Sequence, residues 1–193
     1  YLLENALEGA ALYPQAGAAE PISGSRLLDL ARRFRDVQHL MERLARRFDP
    51  KVLRALLDHP QLSEETLRDE NTLRGVLDQV ASDLAAGGGE GSHCTYELLW
   101  DPEEASHKAI IQRYQQGTTT TTVLGRDFLD SPEFGRLRDM GQQLEGLVGD
   151  GAYVTRGERQ REVTSFDQVV EWLLEEGKRG LSIQRYKGLG EMN

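Results

Sequence analysis

The chain has 193 residues, enough for one well-packed domain or two small ones that bury a core without staples. Its 23 cations against 32 acids leave a net charge of −9, which argues against a nucleic-acid sleeve over the whole surface. The single cysteine, Cys94, excludes an intramolecular disulfide and a Cys-rich metal site and fits a reducing cytoplasm, and no stretch reaches the roughly 18 apolar residues of a membrane-spanning helix.

The opening "YLLENALEGA" has no basic leader and reads as mid-chain sequence. Small residues in "YPQAGAAEPISGS" predict a linker, with Ser25 as the N-cap of a helix. Leu27, Leu30, Phe34, Val37, Met41, Leu44 and Phe48 then alternate in steps of three and four, a heptad seam that Asp49 and Pro50 end. A short helical turn at residues 51–57 and a capping signal at Ser63 lead to a second periodic stripe, Leu73, Val76, Leu77, Val80 and Leu84. The two long helices are expected to form an antiparallel αα-hairpin, with an intermolecular coiled coil as the other use of a heptad seam.

Residues 85–94, "AAGGGEGSHC", break the pattern by composition. "CTYELLW" has strand content, and "HKAIIQRY" and "TTTTTVLG" flank Gln115, Gln116 and Gly117 as a hairpin; a run of β-branched threonines is poor helix material. A helix opens at Asp130 or Ser131 with Pro132 and Glu133 in its first turn and closes on Gly149, weakened by Gly135 and Gly141. Ser165 and Gln168 are spaced as a capping box, followed by the stripe Phe166, Val169, Val170, Leu173 and Leu174 and by Gly177 as C-cap. "LSIQRY" alternates as a buried strand that leaves at "KGLG". The expected fold class is α+β: a helix-rich portion with a small antiparallel β region, then a final helix and strand.

Charge is unevenly spread. Residues 26–54 hold nine cations and four acids, so this window is +5 and the remainder −14. Such a face is either solvated or meets phosphate or an acidic partner. At the other end, Gly188 and Gly190 would let the backbone approach a phosphate while Arg185 and Lys187 supply countercharge, although the spacing is not that of a P-loop and a plain turn has the same composition. His39, His59, His93 and His107 lack metal-ligand spacing, and the acids of "DPEEAS" read as a solvated turn.

"RGLSIQRYKGLGEMN", residues 179–193, resembles the signature closing the TOPRIM domain of bacterial DNA gyrase B subunits and, more broadly, of type IIA topoisomerases, and "SFDQVVEWLLEEGKRG" before it is similar too. The Arg-rich helix, "YELLW" and "AYVTRGERQREVTSFDQ" resemble the long insertion within that domain in many Gram-negative bacteria. The resemblance implies three segments: residues 1–20 leaving the TOPRIM core, 21–160 the insertion, and 161–193 the return into it. It implies a part of an ATP-dependent enzyme that introduces negative supercoils. The implied partners are DNA, the rest of the B subunit, and the gyrase A subunit, with no membrane and a cytoplasmic location.

By the same resemblance, cleavage needs a tyrosine of the A subunit, together with Mg²⁺ held by an upstream glutamate and an Asp-x-Asp pair. No Asp-x-Asp occurs here, and Asp127 and Asp130 are three apart, so Mg²⁺ and ATP are expected in the full-length enzyme, no cofactor in this chain, and no activity from it alone. Arg185, Lys187, Gly188 and Gly190 are the expected contacts to gate DNA, with Gln184 and Tyr186 as supports. The insertion is expected to brace TOPRIM against DNA and the A subunit, docking through Arg32, Arg33, Arg46 and Arg47. An autonomous protein-interaction or phosphate-binding module is the alternative reading, and a chain cut from a larger subunit is the expectation that follows from the gyrase one.

Overall fold

The computed structural model describes residues 1–17 and 20–191; Ala18 and Ala19 of the expected linker, and Met192 and Asn193 of the closing signature, lie outside them. In chain order the elements are α1 (Leu2–Leu7), β1 (Ala10–Tyr13), β2 (Ile22–Ser23), α2 (Gly24–Leu44), α3 (Pro50–Asp58), a 3-10 turn (Thr66–Arg68), α4 (Glu70–Gly87), β3 (His93–Asp101), β4 (Ser106–Gln115), β5 (Thr118–Leu124), α5 (Arg126–Leu129), α6 (Pro132–Leu144), β6 (Tyr153–Arg156), β7 (Arg159–Glu162) and α7 (Phe166–Glu191). The class is α+β with antiparallel sheets, and the chain forms two compact units, Tyr1–Arg35 with Leu144–Asn193, and Asp36–Gln143. Among the described residues no helix is long and apolar enough to cross a membrane.

The first unit joins the two ends of the chain. Its sheet has the order β2-β1-β6-β7, and β1 meets β6 through pairs such as Leu12 with Val154. Both are fully buried, together with Leu27, Val169 and Leu173, while Phe34 meets Phe166 edge-on at 5.2 Å. The capping signal on α7 acts as expected: Ser165 Oγ accepts from Gln168 N at 3.4 Å, and Gln168 Oε1 reaches back to Thr164 N at 2.8 Å. Gly177 does not end the helix. A Cβ there would lie 2.8 Å from Ala6 Cβ, so this glycine lets α1 approach α7.

The second unit is built on a β3-β4-β5 meander. Gln116 and Gly117, at φ +51° and +78°, form the expected tight turn between β4 and β5. The α4 stripe Leu73, Val76, Leu77, Val80 and Leu84 is buried throughout. Three sequence expectations give way here and at the start of α2. The helix begins at Gly24, which takes the positive φ of +60° needed to turn in from β2, so Ser25 is not its cap. Asp49 and Pro50 open α3 rather than close α2, with Asp49 Oδ1 accepting from Lys51 N at 3.0 Å. The expected hairpin of two long helices is replaced: α4 packs on β3 and α3.

Ser131 caps α6, accepting from Phe134 N at 3.2 Å with Pro132 next, and the helix stops at Leu144, short of Gly149, with Gly146 at φ +72° just beyond. Gly141 has a packing role. A Cβ at this position would meet Leu57 O at 2.5 Å, so its absence lets α6 lie against the end of α3.

The largest correction concerns residues 181–190, where the expected strand and glycine loop are replaced by a continuation of α7. A strand needs a neighbour for its amides and carbonyls, whereas a helix satisfies the same groups within itself, and residues 181–190 take the second course. Neither Gly188 nor Gly190 has a positive φ or a close neighbour, so glycine is not required at either position in this conformation.

Candidate functional site

The strongest local charge feature of the second unit is the turn between α2 and α3. Residues 36–143 carry twelve cations against nineteen acids, yet Arg43, Arg46, Arg47 and Lys51 cluster on either side of this turn and are all exposed. Arg43, Arg46 and Lys51 make no ion pair among the described residues, and Arg47 lies 5.4 Å over the Phe48 ring. What fixes the turn lies below it. The Asp49 side chain is 1% exposed and is held bidentately by Arg113, with Nε to Oδ2 at 2.7 Å and Nη2 to Oδ1 at 3.1 Å, while Asp49 N donates to Thr122 Oγ1 at 3.4 Å. Arg113 also donates to Gln115, whose Nε2 reaches Gly88 O at 3.1 Å. A buried, fully bonded pair of this kind fixes geometry more than it adds stability.

Beside the turn lies a cleft of about 390 Å³, lined by Arg47, Phe48, Lys108, Val123, Arg126 and Phe128 among others. Two of its cations, Lys108 and Arg126, are engaged by carboxylates, while Arg47 lies over the Phe48 ring. Lys108 Nζ is 3.1 Å from Asp101 Oδ2, a contact that holds the lysine above and the aspartate below their ordinary pKa values. Arg126 Nε lies 3.1 Å from Glu64 and 3.2 Å from Asp130, and these carboxylates raise its pKa. These ion pairs tie Glu64, the β3–β4 turn and α5 together around the cleft.

The sequence-predicted residues are distributed as follows. Arg32 and Arg33 stand exposed on the part of α2 in the first unit, where Arg32 pairs with Glu4; Arg46 and Arg47 belong to the second unit. On α7, Arg185 shares a face with Lys178, Leu181 and Ser182, which line a shallow groove, whereas Lys187 follows Glu176, Gly180 and Ile183 at steps of four, three and four. The helix thus turns Arg185 and Lys187 to opposite sides. Gln184 and Tyr186 are exposed, Tyr186 at 83%.

Sequence reasoning missed a second basic feature, the β6–β7 hairpin "RGERQRE". Cross-strand register sets Arg156 opposite Arg159, and Arg161 opposite Val154, so all three guanidiniums stand on one face. The signal was legible as arginines at positions 156, 159 and 161 around a glycine, once residues 153–162 are recognised as a hairpin. Among the described residues no group of three or more His, Cys, Asp or Glu could hold a metal.

Comparison with known proteins gives matches over most or all of the chain. Residues 10–177 match the family model described as the DNA gyrase B subunit insert domain. All of the chain aligns with proteins named as the B subunit of DNA gyrase: 30% identical over 207 residues in Myxococcus xanthus, 26% over 201 in Caulobacter vibrioides and 23% over 195 in Rickettsia felis. It spans only 24%, 22% and 23% of those proteins. The match to the family model covers most of the sequence, and the chain belongs to the family of the DNA gyrase B subunit insert domain.

Proposed function

We propose that the chain is part of the B subunit of a DNA gyrase, the ATP-dependent type IIA topoisomerase that introduces negative supercoils. In this reading residues 1–20 leave the TOPRIM core, 21–160 form an insertion, and 161–193 return to it. The insertion acts as a brace that couples TOPRIM to DNA and the gyrase A subunit. The observation that carries this is the rigid cationic turn: Arg46 and Arg47 project from a segment fixed by the buried pair of Asp49 with Arg113, in a unit otherwise rich in acid. A fixed turn transmits force, and an unpaired charge gives it an acidic or phosphate counterpart. Arg32 and Arg33, in the first unit, are further docking residues in this reading, Arg32 less freely because Glu4 already engages it.

Arg185 and Lys187, with Gly188 and Gly190, stand near the gate DNA and contact its backbone without reading sequence. ATP hydrolysis, Mg²⁺ binding and strand cleavage belong to other parts of a cytoplasmic complex of the two kinds of gyrase subunit, and the chain is inert alone. The test is supercoiling and cleavage by the whole B subunit, reconstituted with the A subunit, once residues 21–160 are replaced by a short linker. A brace predicts that cleavage persists while supercoiling falls, and Arg46→Glu with Arg47→Glu should reproduce part of that fall. Full supercoiling by both variants would refute it.

A further inference from the structure

The β6–β7 hairpin breaks a rule of sheet design. Arg156 and Arg159 are directly opposed across the two strands, and Arg161 follows Arg159 on the same face; like charges set this way repel. Among the described residues one carboxylate answers them: Arg159 Nε is 3.0 Å from Glu176 Oε1. Arg156 donates to Asn5 O at 3.1 Å, and its guanidinium lies beside Gly180. Arg161 is exposed and has no partner among the described residues. Glu158 sits in the turn and Glu162 points to the other face, opposite Tyr153, so neither neutralises the row.

We propose that Arg159 and Arg161, supported by Arg156, form a contact row for the sugar-phosphate backbone of duplex DNA. The proposal rests on the gyrase reading and adds residues that the family signature does not include. Arg159 and Arg161, two residues apart on a strand, are separated by about 7 Å. Duplex DNA presents a charge every ~1.7 Å along its axis, so each can meet its own phosphate. Val154, opposite Arg161, is fully buried, so the hairpin itself offers a protein partner no large exposed apolar anchor, although Ile183 on α7 is half exposed. Lys187 follows Glu176 and Gly180 on one face of α7 and continues the row.

Charged residues on an edge strand also block sheet-to-sheet aggregation, and that role accepts either sign of charge. The experiment uses this difference. The whole B subunit, paired with the A subunit, is titrated with a short linear duplex of fixed sequence over a range of salt, comparing wild type with Arg161→Gln, Arg161→Glu and the Arg159→Gln/Arg161→Gln pair. Unfolding midpoints are measured alongside; Arg161 has no partner to lose among the described residues, so its variants should fold normally. Each lost contact should lower the salt slope by about 0.9 and weaken binding roughly 5-fold near physiological salt. Arg161→Glu should bind more weakly than Arg161→Gln. Wild-type affinity and slope in all variants, with wild-type supercoiling intact, would overturn the arginine row alone. Absence of supercoiling by the wild-type pair would overturn the gyrase reading beneath it.

Discussion

Removing the guanidinium of Arg113 should cost far more than its position near a sheet end suggests. In Arg113→Met the Asp49 carboxylate, 1% exposed, keeps only the amide of Lys51 as a firm donor and becomes a buried charge without its partner. Breaking such a pair from one side costs about 3–5 kcal/mol. The Arg113 side chain retains 14% exposure, so water reaches the site in part and about 3 kcal/mol is the expected loss. Asp49→Ala exposes the opposite charge and also removes the cap of α3, which adds about 1 kcal/mol. Thermal unfolding followed by circular dichroism should register the Arg113→Met loss as a fall of roughly 6–12 °C for a chain of this length. Double substitution leaves no orphan charge, so Asp49→Ala/Arg113→Met should recover about 2 kcal/mol relative to the sum of the singles. A single-variant cost below about 1 kcal/mol, or strict additivity, would show that the pair does not hold the turn.

The glycines separate into two kinds. Gly141→Ala forces a methyl against Leu57 O and should cost about 1–3 kcal/mol, whereas Gly135→Ala on the same helix has open space and should stabilise by up to ~1 kcal/mol; equal signs in thermal unfolding would contradict the packing of α6 on α3. Gly188→Ala and Gly190→Ala should each favour the end of α7 by about 1 kcal/mol, seen as added helicity in the far-ultraviolet spectrum, and a loss of helicity would disprove a helix there. Cys94 is a pH probe. Burial pushes its thiol above the ordinary value of 9.0, so the folded state holds this proton more tightly than the unfolded state. Its contribution is present below pH 9.0 and is lost as pH rises from there through the raised folded value; alkylation should be slower than for a free thiol, and Cys94→Ala should flatten that part of the stability profile.

Local chemistry was legible in the sequence at several elements, though not at Ser25 or Gly177, where the expected caps do not form. The threonine run, the Gln116 and Gly117 turn, the α4 stripe and the Ser131 and Ser165 caps each act within a few residues, and each appears as expected. The first-unit sheet was not legible because its strands are two to four residues long and β1 must pair with β6 far along the chain. The same distance hid Asp49 with Arg113, where a helix-breaking Asp-Pro looked like punctuation and proved to be an anchor. At residues 181–190 the alternating pattern was read correctly as a pattern, but a strand also needs a partner edge, which periodicity does not report. Of the site, the cations near residue 46 were visible as a charge window, while the arginine row emerges only from strand register.

Building one unit from both ends of the chain imposes an order on folding. The β3-β4-β5 meander closes through adjacent strands and can form as soon as residues 93–124 exist, but Leu12 must wait for Val154. Loop-closure entropy grows as the logarithm of the intervening length, so prior folding of residues 36–143 replaces a long floppy connection with a compact one. During synthesis, therefore, the amino-terminal segment emerges first and folds last, leaving Leu12 and Phe34 exposed in the interval. Pulsed hydrogen exchange should protect the Ile111 amide before that of Leu12, and the reverse order would refute this sequence of events. A chain joined end to end in this way is most vulnerable to aggregation and proteolysis before its last fifty residues arrive, although its middle is already in native form.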